Sequence, residues 1–179
     1  MERFLTKWAI GASSLWRLRR RVLVCDSDAA ICGAMAHLVG VALKTPMVAA
    51  SLSAHVRVEV LGEYQLSSPL MATAMGEMFA AEPVTNLSDA SDVASVITMS
   101  GLSQVPAERA FVKEANAPIV CLSRLHGVVR SHEAPPALAT VACAPDEAFN
   151  EHVLPNFSIV EMADMCFAFA AIVANELQG

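Results

Sequence analysis

A short loop of glycine and hydroxyl residues is the strongest candidate for chemistry in this sequence. Thr98, Ser100 and Ser103 surround Gly101, directly after an apolar run and before a segment with helical spacing. Glycine lets the backbone turn tightly, and hydroxyls together with free N–H groups at a helix start can hold a phosphate. The same pattern fits a serine-capped turn without a ligand, and spacing alone favours that simpler interpretation.

Two aspartates form a second candidate. Asp26 and Asp28 follow the apolar run 22–25, where a strand is predicted to end. Their carboxylates would oppose an anionic ligand at the same edge. They also resemble the acidic site of response-regulator receivers, which hold magnesium. That family needs an aspartate after its third strand and a lysine after its fifth, yet no aspartate lies between Asp28 and Asp89 and residues 122–124 contain no lysine. A degenerate receiver is therefore the less favoured alternative.

Neither a metal site nor a disulfide framework is predicted. The five cysteines are odd in number and form no CxxC pair, and the five histidines show no ligand spacing. We interpret the cysteines as small core residues in a reducing compartment, and we expect no metal and no cofactor. The residues concerned are Cys25, Cys32, Cys121, Cys143 and Cys166, and His37, His55, His126, His132 and His152.

The segments that would position these residues alternate between strand and helix patterns. Alternation of this kind predicts an α/β domain with a central parallel sheet of about five strands. Ser103 is the predicted N-cap of the helix that follows the loop, with Pro106 in its first turn. The predicted strands are 22–25, 47–52, 56–60, 93–98, 118–122 and 137–143, and the predicted helices are 29–43, 70–81, 104–115 and 157–177. The apolar stripes of the first and last helices are Ile31, Met35, Leu38, Val39 and Ala42, and Ile159, Met162, Cys166, Phe169 and Val173.

Composition indicates one soluble domain with a large core. Of the 179 residues, 55% are hydrophobic and 17% charged, which excludes a disordered chain. Aromatic residues make up only 6%, so Ala, Val, Leu and Met must fill the core. The longest apolar run, 165–174, is about half of what a bilayer needs, and no transmembrane segment is predicted.

Charge divides the chain at residue 21. Residues 1–21 hold six basic groups and one acid, a net +5, whereas residues 22–179 hold six basic groups and seventeen acids, a net −11. We interpret residues 1–21 either as a mitochondrial targeting segment or as a basic anchoring helix of a cytoplasmic protein. An anchor of this charge would contact an anionic partner, such as RNA or a membrane surface. Residues 22–179 form the predicted α/β domain.

In the order of its elements and in two loops, the chain resembles the sugar-isomerase (SIS) domain, closest to the phosphoheptose (sedoheptulose 7-phosphate) isomerase branch. That branch reads V-L-V-C-G-N-G-G-S before its first helix, where this chain has V-L-V-C-D-S-D-A-A at 22–30. It reads S-T-S-G-N-S after a later strand, where this chain has T-M-S-G-L-S at 98–103. The similarity spans roughly residues 22–177. It implies a three-layer α/β/α, Rossmann-type fold and subunits that pair into oligomers.

The resemblance also assigns roles to individual residues. It implies phosphate contacts at Ser100, Gly101 and Ser103, with Thr98 a weaker one. Met99 replaces a hydroxyl residue of the family loop, Leu102 replaces an amide, and the first loop has lost its glycines and final serine.

The family's last helix reads R-I-Q-E-x-H, where this chain has S-I-V-E-M-A at 158–163. Glu161 is therefore a possible catalytic remnant, and Ala163 stands where the family has histidine. Isomerisation moves a proton between carbons and requires a positioned acid and base, which alanine cannot supply. The sequence thus predicts a catalytically inactive SIS-like domain that serves as a binding or structural subunit, in a multi-subunit complex or a homo-oligomer. The alternative is a sugar-phosphate-binding protein or an isomerase of this type.

Overall fold

A computed structural model of the chain describes residues 19–45, 56–62, 82–99, 101–125, 142–143 and 158–178. Strands and helices alternate along these ranges, so the α/β class predicted from the sequence is confirmed. A short helical turn covers 122–125. The longer elements are β1 (Arg21–Val24), α1 (Ala29–Leu43), β2 (Arg57–Val60), β3 (Glu82–Pro83), β4 (Val93–Thr98), α2 (Pro106–Ala115), β5 (Ile119–Cys121), β6 (Ala142–Cys143) and α3 (Ile159–Gln178).

The strands form one mixed sheet in the order β3-β2-β1-β4-β5-β6. Strands β1 to β5 are parallel to one another, which agrees with the predicted central parallel sheet of about five strands, while β6 is antiparallel to β5. The sheet as a whole is therefore mixed, with an antiparallel strand at its edge, as α/β sheets often have. Strand β4 lies between β1 and β5, and all six of its residues are buried.

The two faces of β1 belong to different parts of the core. Val22 and Val24 pack in a cluster that contains the buried residues of α1 and α3. Leu23, the residue between them, packs in a second cluster with Phe111 and Val112 of α2. Successive side chains of a strand point to opposite faces, so both faces of this strand are covered by apolar side chains. Continuous burial of this kind is typical of parallel strands with both faces covered.

Helix α1 has the bounds predicted from its apolar stripe. It is buried more completely than a stripe requires, because every residue from 32 to 40 is buried, including His37. Helix α3 packs along it. The predicted inner face of α3 is confirmed where its burial is described, at Met162, Cys166, Phe169 and Val173.

Helix α2 begins at Pro106, two residues later than predicted, and Ser103 is not its N-cap. Val105 holds that position in an extended conformation (φ −63°, ψ 122°) without a side-chain cap. The ring of Pro106 causes this shift, since the residue before a proline avoids the helical region. The helix ends at Asn116, which adopts the left-handed conformation common at helix ends.

Strand β2 agrees in position with the predicted strand 56–60, but it is not the half-buried strand that its alternation suggested. Glu59 is buried like the valines beside it. The predicted strand 47–52, the predicted helix 70–81 and residues 137–141 of the last predicted strand lie outside the described residues. Among the helices in the described ranges, none is both long and apolar enough to cross a membrane.

Candidate functional site

The candidate site lies at the point where the order of strand addition reverses, between β1 and β4. From β1 the chain adds β2 and β3 on one side and then crosses to add β4 on the other. Ligands of open α/β sheets bind at such a switch point, outside the carboxyl ends of the strands. Two backbone hydrogen bonds join the loop after β1 to the end of β4 and the loop that follows it: Cys25 N–H donates to Ile97 O and Ser27 N–H to Gly101 O, both at 3.0 Å.

Asp26 connects these two loops through its side chain. Its Oδ2 accepts a hydrogen bond from Met99 N at 2.9 Å and another from the Thr98 hydroxyl at 3.1 Å. Its Oδ1 accepts one from Asp28 N at 2.9 Å. The residue is only 6% exposed. The carboxylate is therefore supplied with donors from both loops, although the sequence suggested that it would face an incoming ligand.

Asp28 has a local role at the start of α1. Its Oδ1 accepts hydrogen bonds from Ala30 N at 2.9 Å and Ile31 N at 3.1 Å, which makes it the N-cap. The cap satisfies two amide groups that the helix leaves without intrahelical partners, and its negative charge complements the positive end of the helix dipole. The carboxylate of Asp28, like that of Asp26, therefore makes hydrogen bonds within the chain.

The residues predicted to contact a phosphate are only partly brought together. Thr98 is fully buried, and its Oγ1 accepts a hydrogen bond from Gly101 N at 3.2 Å while donating to Asp26. Gly101 is buried with a φ of 139°, a conformation that favours glycine. Ser103 Oγ accepts a hydrogen bond from Val105 N at 3.2 Å, which closes a local turn.

Ser100, the fourth predicted contact, lies outside the described residues. Met99 and Leu102 of the same loop are fully buried in the core. In the described part of the loop, the polar groups make hydrogen bonds within the chain and the apolar side chains pack in the core.

Two further groups border this edge of the sheet, the thiol of Cys25 and the carboxylate of Glu108. Burial raises the pKa of the Cys25 thiol to about 12, with smaller effects from a hydrogen bond to the Ser103 backbone and from the charges of Glu108 and Asp26. A thiol of this kind stays protonated at neutral pH and is not a nucleophile. Glu108 lies against Gly62, since a Cβ placed on Gly62 would be 2.8 Å from Glu108 Oε1.

Glu161, the possible catalytic remnant, has a structural role at the start of α3. Its Oε2 accepts a hydrogen bond from Ser158 N at 3.0 Å, and Ser158 Oγ accepts one from Glu161 N at 3.2 Å. This reciprocal pair is a capping box. The S-x-x-E spacing of Ser158 and Glu161, directly before a helical segment, is the sequence signature of such a box.

The buried ion pair of Arg21 and Glu59 was not found from the sequence. Arg21 Nε and Nη2 donate to the two carboxylate oxygens of Glu59 at 2.9 and 3.0 Å. Arg21 Nη1 donates to the carbonyl oxygens of Asp89 and Ser91, both at 2.8 Å. The guanidinium also lies 5.8 Å from the centre of the Phe111 ring. Arg21 therefore belongs to β1, although its charge grouped it with the basic segment 1–21.

Two open cavities of about 430 and about 260 Å³ lie near this ion pair, at the amino ends of the strands. Both are lined by Asp89, Ser91 and Asp92. The arginine of the larger cavity, Arg19, donates to the carbonyl oxygens of Val93 and Ala115. The cavities thus mix both signs of charge, and Arg19 and Arg21 donate hydrogen bonds to carbonyl oxygens of the surrounding chain.

The cysteines are confirmed as core residues: all five are free thiols and all are buried. Within the described ranges, no three histidine, cysteine, aspartate or glutamate side chains are grouped so that they could hold a metal ion. The arrangement at the switch point is a set of internal hydrogen bonds around one carboxylate. Neither protein-family models, nor curated proteins, nor solved structures provide a match to this chain.

Proposed function

We propose that the chain is an SIS-like domain without isomerase activity, which acts as a structural or binding subunit of a larger protein assembly. The observation that carries this proposal is the engagement of Asp26. Its carboxylate takes the Met99 amide and the Thr98 hydroxyl, two donors that a sugar phosphate would need at this loop. A ligand would have to break these buried hydrogen bonds before it could form its own.

A three-layer arrangement is part of the proposal. The division of β1 between two core clusters supports it, because α1 and α3 contribute to one cluster and α2 to the other. Strand order supports a doubly wound sheet, since the order reverses between β1 and β4.

The loss of catalysis is supported by the helix α3. Ala163 stands where the SIS family has histidine, and Glu161 is engaged in the capping box with Ser158. Proton transfer between substrate carbons requires a group that can accept and return a proton at a fixed position. Asp26 accepts at least three hydrogen bonds from within the chain, and Cys25 is a buried thiol whose raised pKa keeps it protonated at neutral pH.

A protein partner is supported by the outer face of α3. Val160 and Phe167 are 66% and 43% exposed, and their spacing of seven residues places them on the same side of the helix. Ala171, four residues after Phe167, is small and half-buried. Exposed aromatic and aliphatic side chains that lie close together on a surface are typical of a protein–protein interface.

An activity assay tests the first half of the proposal. Purified full-length chain should not interconvert sedoheptulose 7-phosphate or related sugar phosphates above an uncatalysed blank, with or without zinc. Turnover that disappears in Glu161→Ala but persists in Asp28→Ala would contradict the proposal and favour the isomerase alternative. Calorimetric titration with sugar phosphates tests the remaining alternative, a sugar-phosphate-binding protein. Heat of binding without turnover would favour that alternative.

Affinity purification from native cells tests the second half. A tagged chain should elute with protein partners in stoichiometric amounts, and Val160→Glu together with Phe167→Glu should release them. Leu87→Glu is the control, because Leu87 is 44% exposed, close to the value for Phe167, and lies in a turn between β3 and β4. If size-exclusion chromatography of a native extract shows the untagged protein only as a monomer, the proposal is contradicted.

Residues 1–21 are the proposed targeting segment or anchor for an anionic partner, and deletion of residues 1–18 tests this role. Residues 1–18 lie outside the described residues. The deletion should stop before Arg19, because Arg19 and Arg21 donate hydrogen bonds within the fold. Deleting 1–18 should change localisation or association while the unfolding transition stays the same. A truncated chain that keeps its location but aggregates would show that the segment belongs to the folded core.

A further inference from the structure

Donors from two loops converge on a single carboxylate at the switch point. The Thr98 hydroxyl comes from the last residue of β4, the Met99 amide from the start of the loop after it, and the Asp28 amide from the loop after β1. Proteins bind small anions with backbone amides and hydroxyls arranged in this way. We infer that Asp26 is a resident anion: its side chain fills an anion site formed by the two loops and closes it to anions from solution.

Burial makes this occupancy more than an ordinary surface contact. Thr98 and Met99 are fully buried and Asp26 is 6% exposed, so water does not hydrate these donors in the folded chain. Removing the carboxylate would leave buried donors without an acceptor, which is costly. An external anion, by contrast, must compete with a carboxylate held at the site by the backbone, whose effective concentration no solution anion reaches at ordinary concentrations.

The inference deepens the proposed function, since it rests on the loop holding no substrate and names what holds the loop closed. It leads to a specific expectation for small anions. Asp26→Ala removes the carboxylate and leaves space for formate. Asp26→Gly removes the methylene as well and leaves space for acetate, which reproduces the lost side chain. Either variant should regain stability from the matching anion.

Thermal unfolding of the full-length chain measures this effect. Formate is titrated against chloride at constant ionic strength, and the midpoint of each variant is compared with that of the wild type. The midpoint of Asp26→Ala should rise by about 5 °C or more as formate reaches saturation. Wild type should not respond, because its site is filled. Asp28→Ala is the matched control: it removes an equal charge from the same loop, but its amide partners lie near the surface, where water can replace the lost acceptor.

Equal responses of wild type, Asp26→Ala and Asp28→Ala to formate would overturn the inference. If Asp26→Ala does not fold, Asp26→Asn serves instead, because it keeps the shape of the side chain and loses the charge. The Met99 amide should then exchange with deuterium at least about tenfold faster in Asp26→Asn than in wild type. Unchanged exchange would overturn the inference as well.

These outcomes are separate from those of the proposed function. If formate does not stabilise Asp26→Ala and wild type binds no sugar phosphate, the resident anion is rejected but the proposal of a non-catalytic subunit still stands. Tight binding of a sugar phosphate to wild type would reject both.

Discussion

Replacing Arg21 by methionine should destabilise the fold more than any other single exchange of a charged residue among those described. The side chains of Arg21 and Glu59 are only 8% and 9% exposed. Methionine keeps much of the length of the arginine stem but removes four hydrogen bonds, two to Glu59 and two to backbone carbonyls. Of the cations in the described part of the chain, Glu59 would keep only the more distant Arg57, whose Nη2 lies 3.9 Å from its Oε1.

The magnitude follows from the burial of the pair. Removing one partner of a buried ion pair costs about 3–5 kcal/mol, because the remaining charge stays buried without compensation. For a domain with a free energy of unfolding of about 5–15 kcal/mol, this is a large part of the total. In a chain of this length the melting temperature should fall by about 6–20 °C.

Urea unfolding of the full-length chain, followed by circular dichroism, measures the change. Arg57→Met is the matched control, since Arg57 is the register partner of Arg21, approaches the same carboxylate and has a side chain that is 56% exposed. It should cost about 0–1 kcal/mol. The double variant Arg21→Met with Glu59→Met should recover part of the loss, because no buried charge remains. If Arg21→Met costs no more than Arg57→Met, the reasoning from burial is wrong.

Three further predictions concern single positions. Gly62→Ala should cost about 1–3 kcal/mol in urea unfolding, because φ is 93° and the new Cβ would meet the Glu108 carboxylate; adding Glu108→Ala should return only the part due to the contact. Glu161→Ala should cost about 0.5–2 kcal/mol through loss of the capping box with Ser158, and an unchanged unfolding midpoint would argue against that box. Burial lowers the pKa of His37 below its ordinary 6.5. As the pH falls below 6.5, the unfolded chain therefore binds a proton before the folded chain does, and the free energy of unfolding of wild type should decrease. His37→Leu should weaken this pH dependence, and equal slopes of unfolding free energy against pH for the two proteins would contradict the prediction.

The elements that the sequence predicted well are those fixed by neighbouring residues. Helix α1 has its predicted bounds because an apolar pattern with helical spacing follows directly on Asp28, whose carboxylate caps the helix. Strand β4 was predicted because a run of buried apolar residues without helical spacing suits a central strand of a parallel sheet. The start of α2 was missed by two residues, although Pro106 itself restricts Val105 and so marks the boundary.

The candidate site was predicted less well because its contacts join distant parts of the chain. Asp26 and Met99 are 73 residues apart, and Arg21 and Glu59 are 38 apart. No local pattern states that a carboxylate after β1 will meet an amide after β4, or that an acid between two valines will be neutralised inside the sheet. The sequence placed polar groups correctly at the carboxyl ends of the strands, but only the pairing of the strands determines which groups satisfy each other.

The central position of β1 also has a consequence for how the chain is made. One neighbour, β2, is the next strand in the chain. The other, β4, pairs with β1 through residues that lie about 70 positions later in the sequence. At synthesis rates of about 5–20 residues per second, the gap of 73 residues between Asp26 and Met99 takes about 4–15 s to cross. Throughout that interval one edge of an apolar strand can pair with a neighbouring chain instead. Slow synthesis and crowding of nascent chains should therefore reduce the yield of this protein more than that of domains whose central strands are adjacent in sequence.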